Sequence, residues 1–413
     1  MRKFAILLVT LSTLFFGVQS ITVSADAPKC EPLKTWSPTD ASLSGAQLDE
    51  KCNEYYIEPA SRDLLSRKYL KQMLSTAAPN FNPSDAFSLH SNPTANAIIY
   101  LDFDGQTWES GMWWINSYGI EVGETSAGYT LDSDPTTFTE LERLAIYEIW
   151  SNVAEDFAPF NVDVTTERPT GARDTVFRNR GSHALILSEA SVQQGCGCGG
   201  VAYVDVFGNG NPWQYPALNF SKFGTYYAPP IDVAEIISHE VGHNLGLAHD
   251  GTTTGIEYYS GHAMWTPIMG AGRGRGIATW SYGGYPDADT RWNQRAGDDD
   301  FAQMNLFLDF FSDDHGDNFG AATVASPGQV LSGKITTTSD KDFFKFTVSN
   351  AMAGLWQLQL FPAPYAPNLD PELTLYDESG TVLEVSNPVV SAPSWMSYIT
   401  SGLDALIERE LTA

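Results

Sequence analysis

Three of the seven histidines in this 413-residue chain fall within the stretch HEVGHNLGLAHD, His239 to Asp250. On a helix, His239 and His243 stand one turn apart on one face, so both imidazoles can reach a single metal ion. Glu240 lies on the flank, placed to take a proton from water rather than to bind the metal. Gly246, three residues after His243, can take a positive φ, stop the helix and turn the chain back. That turn returns His249 as a third ligand. Three neutral nitrogens on one Zn²⁺ leave a fourth position open, the composition of a reactive site and not of a closed structural one.

Two helices and several strands must hold this constellation. The segment PPIDVAEIISHEVGHNLG predicts the helix that carries the first two histidines, with Pro230 ahead of it and Asp232-x-x-Glu235 as its cap. Upstream, TFTELERLAIYEIWSNVAEDFAPF places Leu141, Leu144, Ile149, Trp150 and Val153 at helical spacing, with Thr137-x-x-Glu140 as a capping box. AIIYLDFDG, NVDVTTERP, HALILSEA, GGVAYVDVF and PALNF read as strands. Beyond about residue 311 apolar and polar residues alternate between short turns, the texture of an all-β sandwich.

The N-terminus has Arg2 and Lys3, an apolar run from Phe4 to Val18 and the small residues of Val23-Ser24-Ala25. This is the pattern of an export leader over 1–25, giving a secreted protein with no membrane anchor after cleavage. Residues 26–92 read as a helical propeptide. Leu64, Leu65, Tyr69, Leu70, Met73 and Leu74 share one helical face beside the basic Arg62, Arg67, Lys68 and Lys71. Basic and acidic residues nearly balance over 26–90, seven against nine, whereas 14 oppose 41 from residue 91 onward. A near-neutral segment with a basic face suits the role of inhibitor over an acidic body. The polar stretch SLHSNPTANA, 88–97, is the expected linker and cleavage region.

The formal net charge of −27 disfavours nucleic acid and anionic membrane as partners. Four cysteines in an exported chain suggest disulfides, and local pairing would join Cys30 to Cys52 and Cys196 to Cys198. A metal site at Cys-Gly-Cys is the weaker alternative. The acidic runs Asp298-Asp299-Asp300 and Asp313-Asp314 are candidate Ca²⁺ ligands, with a solvated surface as the commoner explanation.

HEVGHNLGLAHD, followed by Met269 in WTPIMG, resembles the metzincin clan of zinc metalloendopeptidases, and most of all its adamalysin (reprolysin-like) branch. The stretch from IIYLDFDG through GGVAYVDVF to GDDDFAQM is similar to secreted bacterial peptidases of that branch. DDHGDNFGAAT and SDKDFFKF resemble the opening and a strand of the pre-peptidase C-terminal domain, a small β-sandwich. The resemblance implies an α+β catalytic domain over 93–311, a twisted mixed sheet with an active-site helix. A β-sandwich domain over 312–413 would follow, lacking at least one strand of the usual set. It implies zinc ligands His239, His243 and His249, Glu240 as general base and acid, and Met269 in a turn beneath the metal, with Met264 as the alternative. Asp250 would hydrogen-bond that turn. The tyrosine ligand that some metzincins carry just past the methionine is absent, since Gly270 and Ala271 follow. His262 is a candidate substrate contact, and Cys30 or Cys52 a candidate source of a thiolate for latency. The activity implied is hydrolysis of extracellular protein or peptide substrates by a monomer. The rival readings are a zinc hydrolase of non-peptide amides and an adhesion or polymer-binding protein with a vestigial metal site.

Overall fold

The structure is a computed structural model that describes residues 3–11, 47–49, 51–59, 65–66, 81–112, 120–132, 134, 136–189, 196–211, 214–271, 275–288, 299–363, 367–391 and 402–413. Its centre is a nine-stranded mixed sheet. Ala217–Phe220, Gly181–Glu189, Ile98–Asp102 and Asp163–Thr165 run parallel as neighbours. Cys198–Tyr203 joins antiparallel beside Ala217–Phe220, and Glu54–Pro59 then adds antiparallel to Cys198–Tyr203. The first five are the strands expected from the sequence; Glu54–Pro59, Gln47–Leu48, Gly105–Thr107 and Thr125–Gly128 are added to them.

Residue parity divides the sheet between two cores, as a two-residue period requires. Ala184 and Ile186 face a cluster built with Ile146, Ile149, Val153, Val233, Ile237 and Val241 of the two long helices. Leu185 and Leu187 face the opposite cluster, with Val201, Tyr203, Leu218, Tyr55, Trp108 and Ile120. Both faces are therefore covered, which is why these strands are apolar almost without interruption.

The first long helix spans Glu140–Asp156, and its capping box is Thr139 with Glu142, two residues later than the spacing of Thr137 and Glu140 suggested. A tertiary demand selects the later pair. Glu142 also accepts Leu131 N–H at 2.7 Å and the Thr130 hydroxyl at 2.9 Å, while Thr137 donates instead to Asp134. The second long helix spans Pro230–Asn244 with Pro229 at its N-cap. Pro230 is thus its first residue, where a missing N–H costs nothing, and Asp232 lies in the first turn rather than at the cap.

The upstream segment departs from a helical propeptide. Among its described residues it forms the strands Gln47–Leu48, Glu54–Pro59 and Leu65–Ser66 and a short 3-10 turn at Pro83–Asp85. The proposed helical face falls mostly outside the described residues, and Leu65, the described member of it, is in a strand paired with Tyr227. Nor is 88–97 a loose linker. His90 bonds Asp163 and Glu167 at 2.8 Å each, and Ser91 N–H donates to Val164 O at 3.0 Å. Phe81 stacks on Tyr147 with ring centres 4.1 Å apart, so the chain already belongs to the central body ten residues earlier.

In the C-terminal part, Thr323–Val324, Lys341–Val348, Pro371–Tyr376 and Val382–Ser386 form a five-stranded sheet whose middle strand is Lys3–Leu11. Residues 3–11, the described part of the segment read as a leader, therefore lie between Lys341–Val348 and Pro371–Tyr376. A ribbon of Gly354–Leu360 and Ala405–Leu411 packs Ala405, Ile407 and Leu411 against Phe346, Val348, Leu373 and Leu375. The result is two β layers around a small core. No described helix is long and apolar enough to cross a membrane.

Candidate metal centre

The Pro230–Asn244 helix ends as the glycine predicted. Gly246 has φ +85°, its N–H donates to His243 O at 2.8 Å, and Leu247 N–H donates to Gly242 O at 3.0 Å. These two bonds and the left-handed residue form a Schellman cap. A Cβ on Gly246 would also come within 2.5 Å of Gln303 Nε2, whose amide donates to Leu245 O. The reversed chain brings His249 back beside the helix, with its ring centre 5.3 Å from that of His239 and 5.0 Å from that of His243.

Each histidine is oriented through Nδ1. His239 Nδ1 lies 2.7 Å from Ile268 O, His243 Nδ1 2.8 Å from Leu247 O, and His249 Nδ1 2.9 Å from Glu257 Oε1. A neutral imidazole that donates from Nδ1 offers its Nε2 lone pair, so three lone pairs converge. They converge on Glu58 Oε1, which lies 3.3 Å from His239 Nε2, 3.4 Å from His243 Nε2 and 2.7 Å from His249 Nε2. Four electron-pair donors so close repel one another unless a positive charge sits among them. Ligands about 2.0–2.1 Å from a tetrahedral Zn²⁺ lie about 3.3 Å apart, close to two of these three separations. Glu58 Oε2 is buried without a hydrogen-bond partner among the described residues, a further sign of a group suited to a cation. Glu58, His239, His243 and His249 are thus a buried set able to hold a metal ion.

Burial opposes ionisation of Glu58, yet His239 and His249 hold its carboxyl well below the usual carboxylate range. Burial likewise opposes charging of His249, but Glu58 and Glu257 on its two nitrogens raise its pKa to about 9. Burial drives His243 down to about 3. A cation held by this set would separate the same donors.

Met269 lies in a turn beneath the Pro230–Asn244 helix. Gly270 N–H closes it onto Pro267 O at 3.1 Å, and Met269 is fully buried beneath the helix. A Cβ on Gly242 would meet Met269 Sδ at 2.7 Å, so Gly242 permits the turn to approach between the two helical histidines. Ile268 O holds His239, and Asp250 N–H donates to Met269 O at 2.8 Å, while Tyr285 donates its hydroxyl to Asp250 Oδ1. Met264 lies instead at a hairpin tip, where its carbonyl accepts Ile277 N–H.

Glu240 is fully buried and its carboxylate lies against the sheet: a Cβ on Gly200 would fall 2.1 Å from Glu240 Oε1. Gly200 is on Cys198–Tyr203, the strand that Glu54–Pro59 covers, with Gly200 opposite Glu58. Tyr56, two residues before Glu58 and on the same face, stacks on His243 at 4.4 Å and meets His249 edge-on at 4.2 Å.

Other expected residues do not join the centre. His262 bonds the Tyr259 hydroxyl through Nδ1 at 2.9 Å, in a hairpin with Trp265. Cys52 is disulfide-bonded and offers no thiolate, and Cys30 lies outside the described residues. Cys196 and Cys198 are joined to each other, so they are not a metal pair. Asp299 caps a short helix and Asp300 accepts Ser281 N–H, both structural duties, and Asp298 lies outside the described residues. Asp313 gathers with Asp317 and Asp340, and Asp314 with His315 and Asp342.

Sequence reasoning missed Glu58, Tyr56, Glu257 and Tyr258. EYYIEP carries no clear two-residue alternation, and nothing local says which edge that strand would join. No protein-family model matches the chain, and no curated protein matches it.

Proposed function

We propose that this chain is a zinc-dependent endopeptidase of the reprolysin-like metzincin kind, held latent by its own residues 54–59. The observation that carries the reading is the convergence of three Nδ1-anchored histidines on one carboxylate oxygen delivered by a strand added to the sheet's edge. A polypeptide reaches the centre here by pairing with Cys198–Tyr203, which is how an extended peptide substrate binds a sheet edge. That favours peptide substrates over the non-peptide amides and the binding role.

A zinc ion held by His239, His243 and His249 would supply Lewis-acid activation of a carbonyl and of water. Glu240, between the helical histidines and the edge strand, takes a proton from the attacking water and returns it to the leaving amine. Its burial keeps competing solvent from that exchange. Met269 and Asp250 hold the floor of the site, and Gly246 sets the return of His249. In the latent form His239, His243 and Glu240 are no more than 1 % exposed, so a substrate must displace the 54–59 strand or follow its removal. The leader-like pattern of residues 1–25 supports export and extracellular protein substrates, although residues 3–11 pair within the C-terminal sheet here.

The test is cleavage of casein by the protein as secreted, beside Glu240→Ala, with zinc content measured on both. Cleavage should fall by about 10²–10⁴-fold in the variant with one zinc per chain retained. Equal cleavage by both, or a chain that binds no zinc, would sink the reading.

A further inference from the structure

One side chain contacts the shared carboxylate oxygen without being a histidine. Tyr258 directs its hydroxyl to Glu58 Oε1 at 3.3 Å, and among the described residues it is the sole such donor to that atom outside the histidine triad. Its ring lies over His249, with centres 4.1 Å apart. Glu58 Oε1 stands in for the oxygen of a substrate carbonyl, because it is the polypeptide oxygen that the three Nε2 atoms surround. From this geometry we infer that Tyr258 is a catalytic residue, donating a hydrogen bond to the scissile carbonyl oxygen as negative charge builds on it. The inference rests on the peptidase reading.

The donor is pinned on both sides. Glu257 accepts from His249 Nδ1, so the residue before Tyr258 is tied to the ligand set. Tyr259 N–H donates to Asp250 O at 2.6 Å, its carbonyl accepts Ala271 N–H at 3.1 Å, and its ring stacks on Tyr285 at 4.4 Å. The residue after Tyr258 is thus tied to the methionine turn. A Cβ on Gly251 would meet Ile256 O at 2.8 Å and Glu257 O at 2.9 Å, so only glycine lets this loop fold so closely onto the third histidine's segment. A donor fixed before reaction loses little in reorganisation when charge develops, which is where such hydrogen bonds are strongest. The position just past Met269 is filled by Gly270 and Ala271, neither of which has a side-chain donor. Tyr258 reaches the centre through the loop after the third histidine.

The hydrolysis balances without consuming the tyrosine. Water oxygen bonds to the carbonyl carbon and the C–N bond breaks. One water proton passes through Glu240 to the amine, and the other leaves with ionisation of the new carboxylic acid. Tyr258 keeps its proton throughout.

The experiment compares Glu58→Ala with Glu58→Ala/Tyr258→Phe in the zinc-loaded full chain, titrated with acetohydroxamate, which is small enough for the space the Glu58 carboxylate leaves. Zinc affinity and melting temperature should be alike in the two, and acetohydroxamate should bind about tenfold more weakly to the double variant. In the protein as secreted, Tyr258→Phe should lower kcat on a peptide by about 100-fold with KM little changed. Unchanged acetohydroxamate affinity and kcat would overturn the inference, and weakened zinc binding would make Tyr258 a ligand instead. If Glu58→Ala itself bound neither zinc nor acetohydroxamate, the peptidase reading would fail first, and this inference with it.

Discussion

Glu58 Oε1 lies 2.7 Å from His249 Nε2, although the two residues are 191 positions apart in the chain. A segment expected to act as an inhibitor places a carboxylate, not a cysteine thiolate, at the histidine centre. Removing that carboxylate should weaken zinc retention by the full chain about 10- to 100-fold, since one of four charged or polar donors is lost. Glu58→Ala should also let the uncleaved chain attack casein at a rate the parent chain lacks. Competition with a chelator measures the first effect and a turnover assay the second. Unaltered zinc affinity together with unaltered latency would show that Glu58 is a bystander.

Gly200→Ala tests the placement of the base. The new Cβ would sit 2.1 Å from Glu240 Oε1, so the carboxylate must swing away from the edge strand. A displacement of about 1 Å in a reacting group costs on the order of 100-fold in rate. Turnover should drop by that order while the zinc content stays at one per chain, because none of His239, His243 and His249 lies on that strand. Full activity in Gly200→Ala would mean that Glu240 works from another position.

The contact between Gly242 and the methionine turn predicts a specific pairwise coupling. Gly242→Ala overpacks against Met269 Sδ and should destabilise the fold by about 1–3 kcal/mol. Met269→Ala makes room but leaves a cavity, costing about 2–5 kcal/mol by itself. The double variant should be more stable than the sum of the two losses predicts, and a double-mutant cycle by urea unfolding reads this directly. Simple additivity would contradict the contact.

Three carboxyls on one face of the Glu140–Asp156 helix predict how stability depends on pH. Burial raises Glu148 to about 7. Burial, with help from Asp156, raises Glu155 to about 8 against the opposing Asn368 N–H. Burial raises Asp156 to about 7, although Ser238 and Asn368 donate to it. Unfolded carboxyls titrate near ~4, so between about pH 4 and 8 the folded chain holds more protons than the unfolded one. Their contribution to stability is therefore complete below about pH 4 and is lost as pH rises through 7 to 8. Denaturation midpoints at pH 5 and pH 8 should differ less in Glu155→Gln than in the parent. An identical pH slope in both would refute the assignment.

The sequence by itself determined the parts whose physics is local. The four-residue spacing of His239 and His243 fixes their common helical face, and Gly246 is legible as the residue that ends that helix, since a left-handed φ suits glycine. The buried strands Ile98–Asp102 and Ala217–Phe220 are legible because both sheet faces are covered. Elsewhere, distant partners decided. Thr139 caps its helix in place of Thr137 because Glu142 also serves Thr130 and Leu131 across a tertiary contact. EYYIEP lies in a segment expected to be helical, and its pairing with Cys198–Tyr203, and so the arrival of Glu58 among the histidines, depends on an open sheet edge that local spacing does not encode. Tyr258 and Glu257 lie in a loop without periodicity, and their roles arise only once Gly251 lets that loop fold onto the segment of His249. The three histidines able to hold a metal ion were written in one twelve-residue stretch; what covers the centre, and what donates to it, came from segments that meet it only in three dimensions.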